Sequence, residues 1–462
     1  MGKYSEYKTI NLPWLAKIPA NWELIRNKQF LREKKDIVGD LSNQFTLLSL
    51  TLRGVIKRDL SEKKGKLPGS FDTYKIISPG DIIFCLFDMD ETPRTVGLSE
   101  YDGMLTGAYT VFQVNGINPQ FLYYYYLSLD NIKALRPLYT GLRKTIKTDT
   151  FLALKLPVPP RAEQDQIVRF LDWKVSEINK LIGIRRKEIQ ELNQAKESII
   201  TRAVTHGIKK RVKYKTNDKY YKELPIGWHI TKTRHVLLQP LTDGPHTTPT
   251  FFEDGIPFVS AEAVSCGNGR IDFEHIRGFI SQDFYEECCK KYIPQIDDIY
   301  MIKSGATTGR VAIVDTDKIF TIWSPLAVFR CNPRVITARF LFYALQANPY
   351  QQQVQDGWSY GTQQNIGMRV LERLKIAYPD IVEQNEISSY LDSKCNLFER
   401  LIQLTRNKIK GLLELKNTII SDVVTGKIDV RNIPVPDYEH VGDSANDGEG
   451  NDEETGIPGE ED

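Results

Sequence analysis

The sixteen residues from Pro159 to Lys174, PPRAEQDQIVRFLDWK, return in altered form from Pro379 to Lys394 as PDIVEQNEISSYLDSK. One offset of 220 residues pairs Glu163 with Glu383, Gln164 with Gln384, Ile167 with Ile387, Leu171 with Leu391 and Asp172 with Asp392. The same offset continues through Arg186 and Arg406, Ile189 and Ile409, Leu192 and Leu412, Lys196 and Lys416, Ile199 and Ile419, and Thr205 and Thr425, with no gap. Duplication of one structural unit accounts for such a match, and the period is far longer than that of a stacking repeat. The chain is therefore built as two similar halves.

Each copy opens a long helix. After PVPP at Pro157 to Pro160, Gly and Pro are absent until Gly207 except for Gly183, which leaves room for a helix of roughly 43 residues. Apolar residues recur at Ile167, Leu171, Val175, Ile178, Ile182, Ile189, Leu192, Ile199 and Ala203. That stripe has a period near 3.6, with charges on the other faces. The second copy repeats it at Ile387, Leu391, Cys395, Phe398, Ile402, Ile409, Leu412, Ile419 and Val423. A helix of this length reaches roughly 60 Å, more than one small domain can cover. Each helix could pack on its own half, but a long seam is better matched by the other long seam. The first helix leaves one half and the second helix leaves the other, so side-by-side packing makes them antiparallel. The expected architecture is α+β: two globular domains separated by two long antiparallel coiled-coil helices, related by a pseudo-twofold axis. Arg186 and Arg406, near the seam, either set its register or reach out to water.

The expected boundaries are a first head at 1–158, a long helix and linker at 159–212, a second head at 213–375, a second long helix at 376–430, and a tail at 431–462. Both heads open on Pro, small residues and Trp (Trp22, Trp228), and both carry a strand-like run behind an acidic turn (Asp81, Asp298). Both also contain an aromatic helix (QFLYYYYLS, RFLFYALQ), and both end on Gly and Ile at matching positions (Gly141 and Ile146, Gly361 and Ile366). Short strands between Gly turns with a few helices predict α+β heads. Tyr123 to Tyr126 could stack on bases, but at helical spacing they read better as core and rim.

Between these landmarks the heads differ, as two readers of different targets would. In LTLRGVIKRDLSEKKGKLPG, Arg53, Lys57, Arg58, Lys63, Lys64 and Lys66 are candidates to neutralise phosphates or meet guanine edges; a solvated lysine-rich loop is the plain alternative. Arg143 and Lys144 join them. In the second head, TDGPHTTP offers His246, Thr247 and Thr248, and KSGATTGR offers Lys303, Thr307, Thr308 and Arg310, donors on tight turns that can approach a groove. YGTQQNIG adds Gln363, Gln364 and Asn365, whose amides can contact adenine or simply cap a turn.

The net charge of +2 conceals an asymmetry, since residues 441–462 hold nine acidic residues and no Lys or Arg. The preceding 440 residues carry 61 basic against 50 acidic residues, about +11, compatible with nucleic acid as a partner. The tail lacks apolar periodicity and is expected to be disordered. Six cysteines form no CxxC pair and the six histidines form no metal spacing, so no metal is expected and a reducing cytoplasm is the natural compartment. No apolar run is long enough for a membrane span. GATTGR is one residue short of a phosphate-binding loop and ends in Arg, and neither NPQF nor NPYQ completes the amino-methyltransferase signature. The chain reads as one that binds rather than reacts. A stand-alone site-specific methyltransferase or nuclease with an unfamiliar active site is the alternative.

Pro-Pro-x-x-Glu-Gln-x-x-Ile ahead of a helix ending in IITRAVTHG, repeated as EQNEI to IISDVVTGKID, resembles the specificity subunit of type I restriction-modification enzymes. The PGDIIF, VGLSEYDGMLTGAY and DGPHTTP segments are similar to the heads of that family, and the likeness runs to about Val430. The resemblance implies two target-recognition domains on double-stranded DNA, each reading one half of an asymmetric two-part site whose gap is set by the helices. It implies two methyltransferase subunits that carry S-adenosylmethionine and flip an adenine in each half, motor-nuclease subunits that use ATP and Mg²⁺, and no cofactor in this chain. The acidic tail is not part of the family's pattern.

Overall fold

A Pro-Pro turn starts the first long helix because proline fits the first turn but not the interior of a helix. The computed structural model describes residues 2–58, 70–360 and 364–442. The chain divides into two units, Met1–Lys187 with Arg406–Asp462, and Glu188–Thr405. The first unit is thus discontinuous in sequence and the second is continuous.

In the first unit, β1 (Leu31–Lys34), β2 (Ile82–Phe84), β3 (Val96–Leu98) and β4 (Thr110–Val114) form an antiparallel sheet in the order β1-β4-β2-β3. Helix α1 (Pro119–Asn131) follows, capped by Asn118, whose side chain accepts from the backbone N–H groups of Gln120 and Phe121. The tyrosines of α1 are core and rim, as expected: Tyr124, Tyr125 and Tyr126 are buried and Tyr123 is half-buried, and the three buried hydroxyls bond to Asp172, Trp14 and Asn27. Helix α2 (Arg161–His206) is one uninterrupted element. In the second unit, β5 (Thr242–Asp243), β6 (Ile299–Ile302), β7 (Val311–Ile313) and β8 (Leu326–Phe329) repeat the first sheet's topology as β5-β8-β6-β7. Helices α3 (Ala338–Gln346) and α4 (Ile381–Val424) complete the correspondence.

The duplicated motif fastens each long helix to the head before it. Gln164 donates from Nε2 to the Pro159 carbonyl at 2.9 Å and accepts at Oε1 from the Asn118 N–H at 2.9 Å. Gln384 donates to Pro379 at 2.9 Å and accepts from the Thr337 N–H at 2.8 Å. Asn118 and Thr337 are the caps of the aromatic helices α1 and α3. Asp172 takes the Tyr124 hydroxyl at 2.7 Å and Asp392 the Tyr343 hydroxyl at 2.6 Å. Each buried glutamine thereby satisfies a helix cap and a proline turn at once, groups that would otherwise be left without partners in the interior.

Helix pairing is antiparallel within each unit. In the first, Ile167, Phe170 and Leu171 share a core with Ile420, Val423 and Val424, while Lys416 donates to Asn179 at 3.3 Å. In the second, Ile200, Ala203 and Val204 share a core with Ile387, Leu391 and Cys395, and Lys196 lies 3.6 Å from Glu399. Of the expected seam, Ile167, Leu171, Ile178, Ile182, Ile387, Leu391 and Ile402 are buried, whereas Ile189, Leu192, Ile199, Phe398, Ile409, Leu412 and Ile419 are half-buried. Ile200 and Ile420 take the fully buried places next to Ile199 and Ile419. Beyond α4, the chain turns back along α2: Asp429 donates its N–H to the Gly2 carbonyl at 3.0 Å. Gln166 holds the carbonyls of Val430 and Ile433, and Asn179 that of Val441. The acidic tail past residue 442 lies outside the described residues.

Candidate nucleic-acid interface

Both heads present loops at one end of the four-stranded sheet, and backbone hydrogen bonds identify which loop of one corresponds to which of the other. In the second head, Gly305 donates its N–H to the Gln364 carbonyl and Ile366 to the Lys303 carbonyl, both at 2.9 Å. In the first head, Asp88 donates to the Arg143 carbonyl at 2.9 Å and Ile146 to the Leu86 carbonyl at 2.8 Å. The loop that follows β2, residues 86–95, is therefore the counterpart of KSGATTGR, and the Thr140–Thr145 hairpin is the counterpart of YGTQQNIG. Gly305 takes φ +96° at the turn, and Asp88 takes φ +44° at the matching place, a conformation that Asp tolerates better than most residues.

The two tips differ in charge. The first-head loop carries Asp88, Asp90 and Glu91, and Lys144 lies 3.3 Å from Glu91 and 3.5 Å from Asp90, which also receives Arg136 at 2.8 Å. Lys144 is thus engaged by carboxylates, while the Arg143 side chain is exposed. Arg53, Lys57 and Arg58 sit elsewhere, on the hairpin formed by strands Leu48–Thr51 and Gly54–Lys57. Arg53 occupies the turn, Lys57 lies 4.8 Å from the Tyr101 ring centre, and Arg58 donates its N–H to Leu47. Leu48, Leu50 and Val55 of this hairpin share a small core with Ile83 and Cys85 of the β2 strand and its loop. Lys63, Lys64 and Lys66 lie outside the described residues.

In the second head three candidate stretches converge. Asp243, at the end of β5, is bonded by Lys291 and by Lys303, the latter at 2.7 Å, and His246 Nε2 lies 3.5 Å away. Burial opposes the charged carboxyl, but the hydrogen bonds from Lys291 and Lys303 prevail and hold its pKa below the usual range. A Cβ at Gly244 would fall 1.9 Å from the Ile322 carbonyl, so only glycine lets this turn sit so close, and the Ser324 N–H bonds to the Pro245 carbonyl at 3.2 Å. His246, Thr247 and Thr248 are exposed beyond the turn, as are Arg310 and Gln364. Arg310 donates to the Ser265 carbonyl at 3.1 Å, and Thr308 to the Gly305 carbonyl at 2.7 Å. Thr307 is half-buried; Gln363 lies outside the described residues. Beside the loop is a cavity of about 180 Å³ lined by Asp243, Thr247, Lys291 and Thr321, among others. Lys303, expected to reach outward, is only 14 % exposed and serves Asp243 instead. Sequence reading passed over Asp243, Lys291 and the 86–95 loop; aligning the strands behind Asp81 and Asp298 and counting on from them would have found the loop.

The profile of the type I restriction modification DNA specificity domain matches residues 86–194 and 251–414, more than half of the chain. The chain belongs to the type I restriction-modification DNA specificity family. This specificity subunit is 24 % identical over 444 residues to a Methanocaldococcus jannaschii sequence assigned as the specificity subunit of the type I restriction enzyme MjaX, covering 90 % of this chain and 96 % of the relative. It is 22 % identical to the EcoBI specificity subunit of Escherichia coli, covering 90 % and 88 %. Its fold matches a chain solved in work on complex assembly and conformational transition of the type I R-M system, with a TM-score of 0.59, 16 % identity, and coverage of 89 % and 99 %. A specificity subunit is the DNA-recognition component of its system rather than a catalytic chain. Among the described residues there is no cluster of His, Cys, Asp or Glu placed to hold a metal ion, and no helix long and apolar enough to cross a membrane.

Proposed function

We propose that the two heads, residues 1–158 and 213–375, each read one half of a two-part site on double-stranded DNA. The first head would use the Leu48–Lys57 hairpin with Lys63, Lys64 and Lys66, together with Arg143 and Lys144. The second would use His246, Thr247, Thr248, Thr307, Thr308, Arg310, Gln363 and Gln364. The observation that carries this reading is one sheet topology built twice with differently charged loops at matching places. Phosphate contacts from the basic residues would position each head and groove contacts from the amides and threonines would specify the bases. The long helices, which carry the chain from one head into the other, set the spacing and dock two methyltransferase subunits. Those subunits supply S-adenosylmethionine and the flipped-base chemistry, and motor-nuclease subunits supply ATP- and Mg²⁺-dependent restriction in the cytoplasm.

Replacing residues 213–375 by those of a relative, followed by methylation-sensitive sequencing of host DNA, should change one half-site and leave the other and the spacer as they were. Unchanged methylation, or change in both halves, would count against the division of labour. Purified chain alone with DNA, Mg²⁺ and S-adenosylmethionine should neither methylate nor cut.

A further inference from the structure

Exposed loop residues can read a duplex only if something fixes their place, and in the second head a buried carboxylate joins two of the loops beside the backbone bonds that hold each one. Asp243 is 8 % exposed and stands where β5 ends and the 244–248 turn begins. Lys303, which opens the neighbouring 303–310 loop, reaches it at 2.7 Å. Lys291, from the segment after helix Gln282–Cys289, bonds both the carboxylate and the Gly244 carbonyl. The side chains of Lys291 and His246 are 48 % and 74 % exposed, so they face solvent while Lys303 is turned inward. Two segments that carry this head's candidate contacts, 243–248 and 303–310, therefore meet with the Lys291 segment on one buried acid.

We propose that Asp243 is the positioning residue of the second head's DNA-reading surface, joining the 243–248 and 303–310 loops and presenting Lys291 and His246 to the phosphates of the duplex. The inference rests on the DNA-reading role proposed above. Asp243 repels phosphate, so it is no DNA contact itself; its action is through its partners. Removing its charge has two opposed consequences. Lys291 and Lys303 lose a counter-charge, which strengthens attraction to any duplex. The two loops lose their common anchor, which weakens the fit to the right duplex. A residue that only stabilised the fold would move both affinities the same way.

The test uses the full complex isolated from its host. A duplex is first enriched from a randomised library by the wild-type complex, and binding to it and to a scrambled duplex is then measured for wild type, Asp243→Asn and Lys303→Met. The expected result for Asp243→Asn is a tenfold or greater loss on the enriched duplex with unchanged or stronger binding to the scrambled one. Lys303→Met, which keeps the carboxylate but removes one positive charge, is expected to weaken binding to both duplexes with clearly the larger factor on the enriched one, and it carries the test if the Asn variant does not fold. Equal factors on both duplexes, or no change in either variant, would overturn the positioning role while leaving the DNA-reading role intact. Failure of the wild-type complex to enrich any sequence would overturn both.

Discussion

The two heads share a frame and differ at two kinds of place, the loops and the anchoring of the motif glutamate. Glu163 accepts from Tyr4 at 2.6 Å, Trp22 at 2.8 Å and Asn21 at 3.0 Å. Its counterpart Glu383 has Arg211 at 3.2 Å without hydrogen-bond alignment, and among the described residues both its oxygens and the Trp228 indole N–H are buried without a hydrogen bond. The acid ahead of the central strand also changes partners. Asp81 takes Lys34 at 2.9 Å, whereas Asp298 takes a two-pronged Arg330 at 2.7 Å on each oxygen, with Tyr292 added. The shared glutamine and aspartate ties mark what the frame needs, and the divergent pairs mark where either solution serves.

The comparison sets an order of effects. Asp298→Ala leaves Arg330 without its counter-charge and should cost about 3–5 kcal/mol, read as a lowered midpoint for one unit in a urea titration of the full chain. Asp81→Ala should cost less, about 1–3 kcal/mol, because Lys34 can swing to water while the Ser78 N–H is left unpaired; equal losses would break the contrast. Gln164→Ala and Gln384→Ala remove the same two ties and should each cost about 1–3 kcal/mol, Gln384 somewhat more because its Nε2 also donates to the Val335 carbonyl at 3.0 Å. A large inequality would show that one head is not fastened as its hydrogen bonds indicate. The Asp243 carboxyl has its folded pKa below the unfolded value of about 3.9, so its contribution is full above that value and fades as pH falls through the folded one. Wild type and Asp243→Asn should therefore differ in stability near pH 7 and converge in acid. Smallest, Lys144→Met removes exposed ion pairs screened by solvent and should leave the urea midpoint essentially where it is.

Much of the frame was legible because it is periodic or local. The long helices follow from a 3.6-residue stripe behind a proline stop, and the burial of Tyr124 to Tyr126 follows from their helical spacing. The seam was read one position early at Ile199 and Ile419, where both members of an Ile-Ile pair are apolar and periodicity cannot choose between them. The anchoring of the loops was not legible. Lys303 looks like a groove contact until Asp243, 60 residues earlier, is seen beside it. The 86–95 loop shares with KSGATTGR only a Thr-x-Arg ahead of the next strand (Thr92 and Arg94, Thr308 and Arg310), too short a signal to stand out unless the strands behind Asp81 and Asp298 are aligned first; the backbone bonds from Asp88 and Gly305 make the match plain.

The division of the sequence between the units has a consequence for how the molecule is made. As the chain leaves the ribosome, the unit comprising 188–405 has all its residues before the other does, although the other was begun first. Ile167, Phe170 and Leu171 wait with part of their apolar face uncovered until Ile420, Val423 and Val424 are synthesised. Of the two units, the one begun first is the one finished last, and a chain cut short before Ile420 would expose that face permanently.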